Sequence, residues 1–149
     1  MSNGYLLFVL AGRLFGVKLV GAIEILAWRQ SRRVPLSYSY AEGLLDYRGT
    51  IYPVFNIQLR LGLHPQGPIG FIAKDADPAA KGKSIILLEE KKNAFGITVD
   101  SVLRMITLDD ASIVPAQPQG IDTRYVIGCV THEEQEVVIL DFERLLHAG

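Results

Sequence analysis

The residues best equipped for chemistry are one cysteine, three histidines and a few charges set in apolar surroundings. Cys129 and His132 come nearest to a nucleophile and its base. They lie in a segment that reads as a buried strand, where a free cysteine is more often packing than reactive. His64, His132 and His147 are far apart in the chain and lack ligand-like spacing, so they do not read as a metal site. There is no Walker-type phosphate loop and no GxGxxG turn after a strand. The expectation is a protein with no catalytic residues, no metal and no cofactor. Glu89-Glu90, Asp109-Asp110 and Glu133-Glu134 read as solvated turns, and Arg29, Arg32 and Arg33 as a solvated basic edge or a partner contact.

Two charges are harder to set aside. Glu24 sits within Ala22-Ile23-Glu24-Ile25-Leu26, and Arg48 occupies a tight turn just before Gly49. A lone charge is costly in an apolar neighbourhood, so a Glu24–Arg48 pair at a partly desolvated surface is an economical reading. Two independent exposed charges are the alternative.

Composition narrows the function classes. The formal net charge is −1 over 149 residues, without the clustered cationic excess that phosphate backbones or anionic membranes require, so no nucleic-acid partner is expected. A single cysteine excludes an internal disulfide framework and suits a reducing compartment. No apolar run reaches the 18 or so residues of a spanning helix, and the N-terminus lacks a signal-peptide pattern. A cytoplasmic location without membrane insertion is expected. Short apolar runs such as Ile85-Ile86-Leu87-Leu88 suit buried strands.

What must position these residues emerges from a comparison of the chain with itself. Phe15-Gly16-Val17-Lys18-Leu19 is echoed 80 residues later by Phe95-Gly96-Ile97-Thr98-Val99, and Val34-Pro35 by Val114-Pro115. The offset then becomes 85: Gly43 meets Gly128, Tyr52 meets Val137, Val54 meets Ile139, Asn56 meets Asp141 and Leu61 meets Leu146. The pattern divides the chain into a first half at about 5–61, a connector at 62–83 and a second half at about 84–147. The connector is rich in proline and glycine, and its stretch from Lys74 to Lys83 is expected to be mobile.

Each half predicts a hairpin through the Phe-Gly step and then about seven residues with helix-like spacing: Val20, Ile23 and Leu26, then Val99, Val102, Leu103 and Ile106. An extended piece ends at Val-Pro. A second hairpin follows, Gly43 to Phe55 turning at Arg48-Gly49, and Tyr125 to Leu140 turning through His132 to Gln135. A short helix closes each half, with Asn56 and Asp141 as N-caps. Many short strands without a long helix between them favour small barrels. About 60 residues is marginal for independent folding, so the halves should share a core as one domain, 1–149.

In this order the motifs resemble the CheW family over almost the whole chain. They are the Phe15-Gly16-Val17 step, Ile23-Glu24-Ile25, Val34-Pro35, the run Gly43-Leu44-Leu45-Asp46-Tyr47-Arg48-Gly49-Thr50-Ile51-Tyr52-Pro53-Val54-Phe55-Asn56, and Gly96-Ile97-Thr98-Val99-Asp100. The resemblance implies a mainly β fold of two pseudo-symmetric, intertwined SH3-like five-stranded β-barrels sharing a core, with short helices. It also implies a non-enzymatic adaptor coupling chemoreceptors to a histidine kinase, in chemotaxis or a related pathway such as pilus motility. The partners would be the regulatory domain of a CheA-type kinase, the tip of a methyl-accepting chemoreceptor at membrane-associated arrays, and further CheW-like copies.

Carried over by position, Glu24 and Arg48 fall in the receptor-side neighbourhood. Tyr47, Gly49 and Val54 complete the candidate partner-binding set, within a surface built from the apolar residues of Gly43 to Val54. Asp46-Tyr47 departs from the family's usual Asn-Leu. The competing readings are a ligand-binding β-barrel sensor, an enzyme using Cys129, and an adaptor that associates with itself.

Overall fold

The computed structural model describes residues 2–19, 22–29, 41–63, 83–90 and 93–146. Among the described residues ten strands follow one another: β1 (Ser2–Leu10), β2 (Arg13–Lys18), β3 (Ala22–Ala27), β4 (Ala41–Tyr47), β5 (Thr50–Asn56), β6 (Ser84–Glu90), β7 (Asn93–Val99), β8 (Ser101–Asp109), β9 (Val126–His132) and β10 (Gln135–Leu140). A one-turn helix α1 (Ile57–Arg60) follows β5, and α2 (Phe142–Leu146) follows β10. The strands form two five-stranded sheets, ordered β8-β1-β2-β10-β9 and β3-β6-β7-β5-β4. Neither sheet belongs to one half of the chain. The first takes β1 and β2 from the first half and the rest from the second; the other sheet reverses this.

The internal repeat is visible in the pairing register. Phe8 faces Phe15, as Leu88 faces Phe95. Leu6 faces Met105 across β1–β8, as Ile86 faces Ile25 across β6–β3. In the parallel pairs, Ile139 faces Gly16 as Val54 faces Gly96. Across the second hairpins, Leu45 faces Tyr52 as Val130 faces Val137. Each correspondence runs at the offset read from the sequence, 80 before the insertion and 85 after it.

Side-chain alternation explains why β1 and β6 are apolar on both faces. Leu6, Phe8 and Leu10 of β1, with Ile86 and Leu88 of β6, enter one large core that also holds Phe15, Val17, Phe95, Ile97, Ile57, Leu61 and Leu145. Their neighbours point the other way, because successive strand residues face opposite sides of a sheet. Tyr5 and Leu7 join Val130, Val137 and Ile139 inside the first sheet's curl, and Ile85 and Leu87 join Leu26, Leu45, Tyr52 and Val54 inside the second's. Two barrel interiors thus flank a shared central layer.

The Phe-Gly step follows from the same geometry. Phe15 and Phe95 fill the shared core, so the next residue faces a barrel interior. There a Cβ on Gly16 would lie 3.0 Å from Ile139 Cδ1, and one on Gly96 3.1 Å from Leu87 Cδ2.

The turns are equally constrained. Ala11-Gly12, Arg48-Gly49 and Glu133-Glu134 all have positive φ at both positions, with Arg48 at 52° and Glu133 at 50°. Two-residue turns of this kind match the right-handed twist of the flanking strands. As expected, Asp141 caps α2, its Oδ1 accepting the Glu143 N–H at 2.9 Å.

The helix-like segments are a correction. Residues 22–27 and 101–109 are strands β3 and β8, each an edge of its sheet, and Val20 lies outside the described residues. These edges keep apolar residues on both faces, with Ile25, Leu103 and Met105 exposed beside the buried Leu26 and Leu108. That blurs the two-residue alternation and leaves a spacing that mimics a helix. Val34-Pro35, Lys91-Lys92 and residues 64–82 of the connector lie outside the described residues.

Candidate functional site

In the second sheet the edge strands are β3 and β4, and the curl brings them together. Glu24 on β3 and Tyr47 at the end of β4 meet across this seam. The Tyr47 hydroxyl donates to Glu24 Oε1 at 2.8 Å, and Arg48 Nη1 lies 3.8 Å from the same oxygen. The Glu24–Arg48 pair inferred from the sequence is therefore present, with a tyrosine between its members. Both guanidiniums nearest the ring stack on it: Arg48 at 5.1 Å from the ring centroid and Arg29 at 5.6 Å. Hydrogen bonding to Glu24 raises the Tyr47 hydroxyl above its ordinary pKa, and Arg48 works against that shift.

The local sequence places each group. Leu45 points into the barrel, so Tyr47, two residues on, follows it inward and reaches the rim, where it packs against the barrel interior with Trp28. Arg48 takes the first turn position, and its side chain is 74% exposed. Gly49, at φ 83°, supplies the second positive-φ residue at no steric cost. Tyr52 sits deeper and donates to Glu89 Oε2 at 3.2 Å. Burial raises its pKa first, and the bond to Glu89 adds to the rise. Val54 is fully buried. It has no surface to offer and can support the site only from beneath. Around the seam Ile25, Leu44 and Ile51 remain exposed.

The first sheet closes in the same way with the charges exchanged. Its edge strands are β8 and β9, and Arg104 Nη2 bonds Glu133 Oε2 at 2.7 Å. Arg104 is the repeat-equivalent of Glu24, and Glu133 that of Arg48. Sequence reasoning took Glu133-Glu134 for a plain solvated turn; the two offsets, applied to the charges as well as to the apolar residues, would have found the pair. A further clasp holds the end of β8. Asp110 accepts from the Tyr5 hydroxyl at 2.6 Å, Asn3 Nδ2 at 2.8 Å and Lys18 Nζ at 3.0 Å. These donors hold its carboxyl at about 2.

Cys129 and His132 are not brought together as nucleophile and base. Residues three apart on one strand face opposite sides of the sheet. Cys129 is buried, and burial pushes its thiol pKa upward. Among the described residues no three His, Cys, Asp or Glu side chains cluster as metal ligands, and no helix is long and apolar enough to cross a membrane.

The CheW-like domain model matches residues 4–149. The chain belongs to the CheW-like family. It is 27% identical over 140 residues to the chemotaxis protein CheW of Treponema pallidum, covering 93% of this chain and 78% of that one. Against the chemotaxis protein CheW of Klebsiella aerogenes it is 26% identical over 148 residues, covering 98% of this chain and 82% of the relative. The crystal structure of the scaffolding protein TtCheW from Thermoanaerobacter tengcongensis superimposes with a TM-score of 0.80 at 26% identity, covering all of this chain and 90% of that one. The mainly β, two-barrel fold expected from the sequence is the fold observed.

Proposed function

We propose that this chain is a non-enzymatic adaptor that couples chemoreceptors to a CheA-type histidine kinase. The observation that carries the reading is the CheW-like match over nearly the whole chain, set beside a solvent-facing Glu24–Tyr47–Arg48 seam on an otherwise packed barrel. The relatives bear the name chemotaxis protein, and the matching solved structure is a scaffold. Residues 1–149 act as one unit of two halves, working in the cytoplasm at receptor arrays. Arg48, Glu24, Tyr47 and Gly49 form the partner-contacting set over a floor that includes Val54, and the receptor tip, the kinase regulatory domain and other CheW-like copies are the partners. Modest interfaces with exposed apolar residues beside a charge suit such reversible association.

Arg48→Glu tests this. An exposed ion pair contributes about 0–1 kcal/mol, so the thermal midpoint should fall by no more than a few degrees. Pull-down of a receptor fragment should drop at least tenfold. Wild-type protein that captures neither kinase nor receptor fragments at tens of micromolar would remove the reading.

A further inference from the structure

Each barrel is assembled from both halves of the chain, and the exchange is reciprocal. The β1–β2 hairpin of the first half lies between β8 and β10 of the second, and the β6–β7 hairpin of the second lies between β3 and β5 of the first. Each hairpin pairs antiparallel on one side, β1 with β8 and β6 with β3, and parallel on the other, β2 with β10 and β7 with β5. Neither half can fill its own slot. In the second half β6 would pair with β8, leaving β7 parallel to β8 with β6 between them. The chain would then have to return along the whole of β7, about 23 Å for its seven residues, before starting β8. Asp100 alone separates those strands, and the two steps from Val99 to Ser101 reach about 7 Å. The first half falls short in the same way: from Lys18 to Ala22 the chain reaches about 14 Å, against about 20 Å along β2. Parallel neighbours in one sheet need a dozen or more connecting residues.

We propose that two copies of this chain combine by exchanging halves, the first half of each closing both barrels with the second half of the other. The occupant of each open slot is then the complementary half of a second copy, held by the strand pairs and the shared core already described. Inside either two-barrel unit nothing changes, because every contact between halves keeps the same partner residues. What differs is the route from Leu63 to Lys83. That stretch reaches about 70 Å at full extension, against a radius of gyration of about 15 Å for a unit of this length, so it is long enough to bridge two units. A tether of this length presents its own half at an effective concentration on the order of 1 mM. Exchange therefore competes when chains fold together near that concentration, and loses to the closed monomer far below it. Once formed, the exchanged dimer is held kinetically, since separating it requires opening both barrels of each unit. The inference stands apart from the adaptor reading, which needs only one closed unit.

The pairing register supplies a trap for it. The Trp28 N–H donates to the Lys83 carbonyl at 3.0 Å, which makes the next pair along, Ala27 and Ser84, a non-hydrogen-bonded one. Cα atoms in such pairs lie about 4.5 Å apart, within the range a disulfide spans. In the full chain, Ala27→Cys with Ser84→Cys therefore joins the halves, within one molecule in the monomer and between two in the exchanged dimer. Cys129, buried in the other sheet, takes no part. The protein is unfolded in guanidinium, refolded at about 1 mM or about 10 µM, oxidised, alkylated and run on a non-reducing denaturing gel. Covalent dimer should be about half of the product at the higher concentration and about a hundredth at the lower. Native protein concentrated to about 1 mM without unfolding should give monomer alone. The proposal is overturned by monomer alone after refolding at the higher concentration, by equal dimer with and without unfolding, or by dimer from Ala27→Cys on its own. Should the pair stay reduced, light scattering of wild type refolded at about 1 mM decides. A dimer whose amide NMR spectrum matches the monomer's outside the connector supports exchange, and monomer or aggregate alone overturns it.

Discussion

Gly128→Ala should cost this fold measurable stability through a single contact. Gly128 lies on β9, where the strand next to it is reduced to one bridge: Val114 donates to the Cys129 carbonyl and Cys129 to the Val114 carbonyl, both at 2.9 Å. A Cβ on Gly128 would lie 2.4 Å from Val114 O, 2.9 Å from Val114 C and 3.0 Å from Ile113 Cγ2. Backbone cannot swing aside like a side-chain tip, so the 113–114 segment must retreat by about 1 Å to reach ordinary contact, which takes both bonds past useful length. Two lost hydrogen bonds are worth about 1–3 kcal/mol together. The stiffer unfolded chain returns about 0.4–1 kcal/mol. A net loss of about 1–2 kcal/mol lowers the thermal midpoint by about 3–6 °C at this chain length. Thermal denaturation followed by circular dichroism gives the shift, and hydrogen exchange locates it at the Val114 and Cys129 amides. Faster alkylation of Cys129 should accompany it. Gly16→Ala is the comparison: its Cβ meets side-chain atoms only, Ile139 Cδ1 at 3.0 Å, Leu7 Cδ2 at 3.4 Å and Val137 Cγ1 at 3.5 Å, so whatever it costs in packing should leave the Val114 and Cys129 amides protected. A Gly128→Ala protein with an unchanged midpoint and both amides still protected would refute the reasoning.

Other expectations follow from the charged clasps. Asp110 is held at about 2, below its ordinary 3.8. Its contribution is complete above pH about 4 and disappears as pH falls through 2; Asp110→Asn should lower stability near neutrality and flatten acid unfolding over that window. At the first sheet's seam, Arg104→Glu should destabilise slightly by setting two carboxylates together, and Glu133→Arg in the same chain should restore it. The coupling read from a double-mutant cycle should be about 0.2–1 kcal/mol and shrink in high salt.

Most of the backbone plan was legible because the repeat constrains it twice. A strand register slipped by one residue would turn Tyr5 and Leu7 into the layer that Leu6 and Phe8 occupy, so the buried pattern admits few alternatives. The Phe-Gly steps were legible for the same reason, with one residue needed large on one face and the next needed absent on the other. The seams were harder. Glu24 and Arg48 could be paired from their apolar neighbourhoods, but the hydroxyl joining them depends on Tyr47 reaching the rim, which only the barrel's curl decides. The edge strands misled for a physical reason: β3 and β8 have a paired neighbour on one side only, and they keep apolar residues on both faces. Val54 was misjudged as a surface residue because a motif records which residues recur and not which way they point.

The two seams separate what closing a barrel requires from what a surface can vary. Each sheet must bring its edge strands together, and each does so with one charged residue on the third strand of a half and another on the tight turn between its fourth and fifth. Backbone at the turn is nearly the same in both halves, φ 52° at Arg48 and φ 50° at Glu133. The sign of the charges is not. A closing ion pair works equally well with its members exchanged, so closure alone leaves polarity free, whereas a partner's surface would distinguish the two orientations. In the first sheet the pair is short and direct, 2.7 Å, with His132 Nε2 3.8 Å from the other Glu133 oxygen. In the second it stretches to 3.8 Å with Tyr47 taking over the bond to Glu24. That exchange loosens the hold of Glu24 on the Arg48 guanidinium while the seam stays shut. The proposed partner site therefore falls on the seam whose cation is the more loosely paired of the two, 3.8 Å against 2.7 Å.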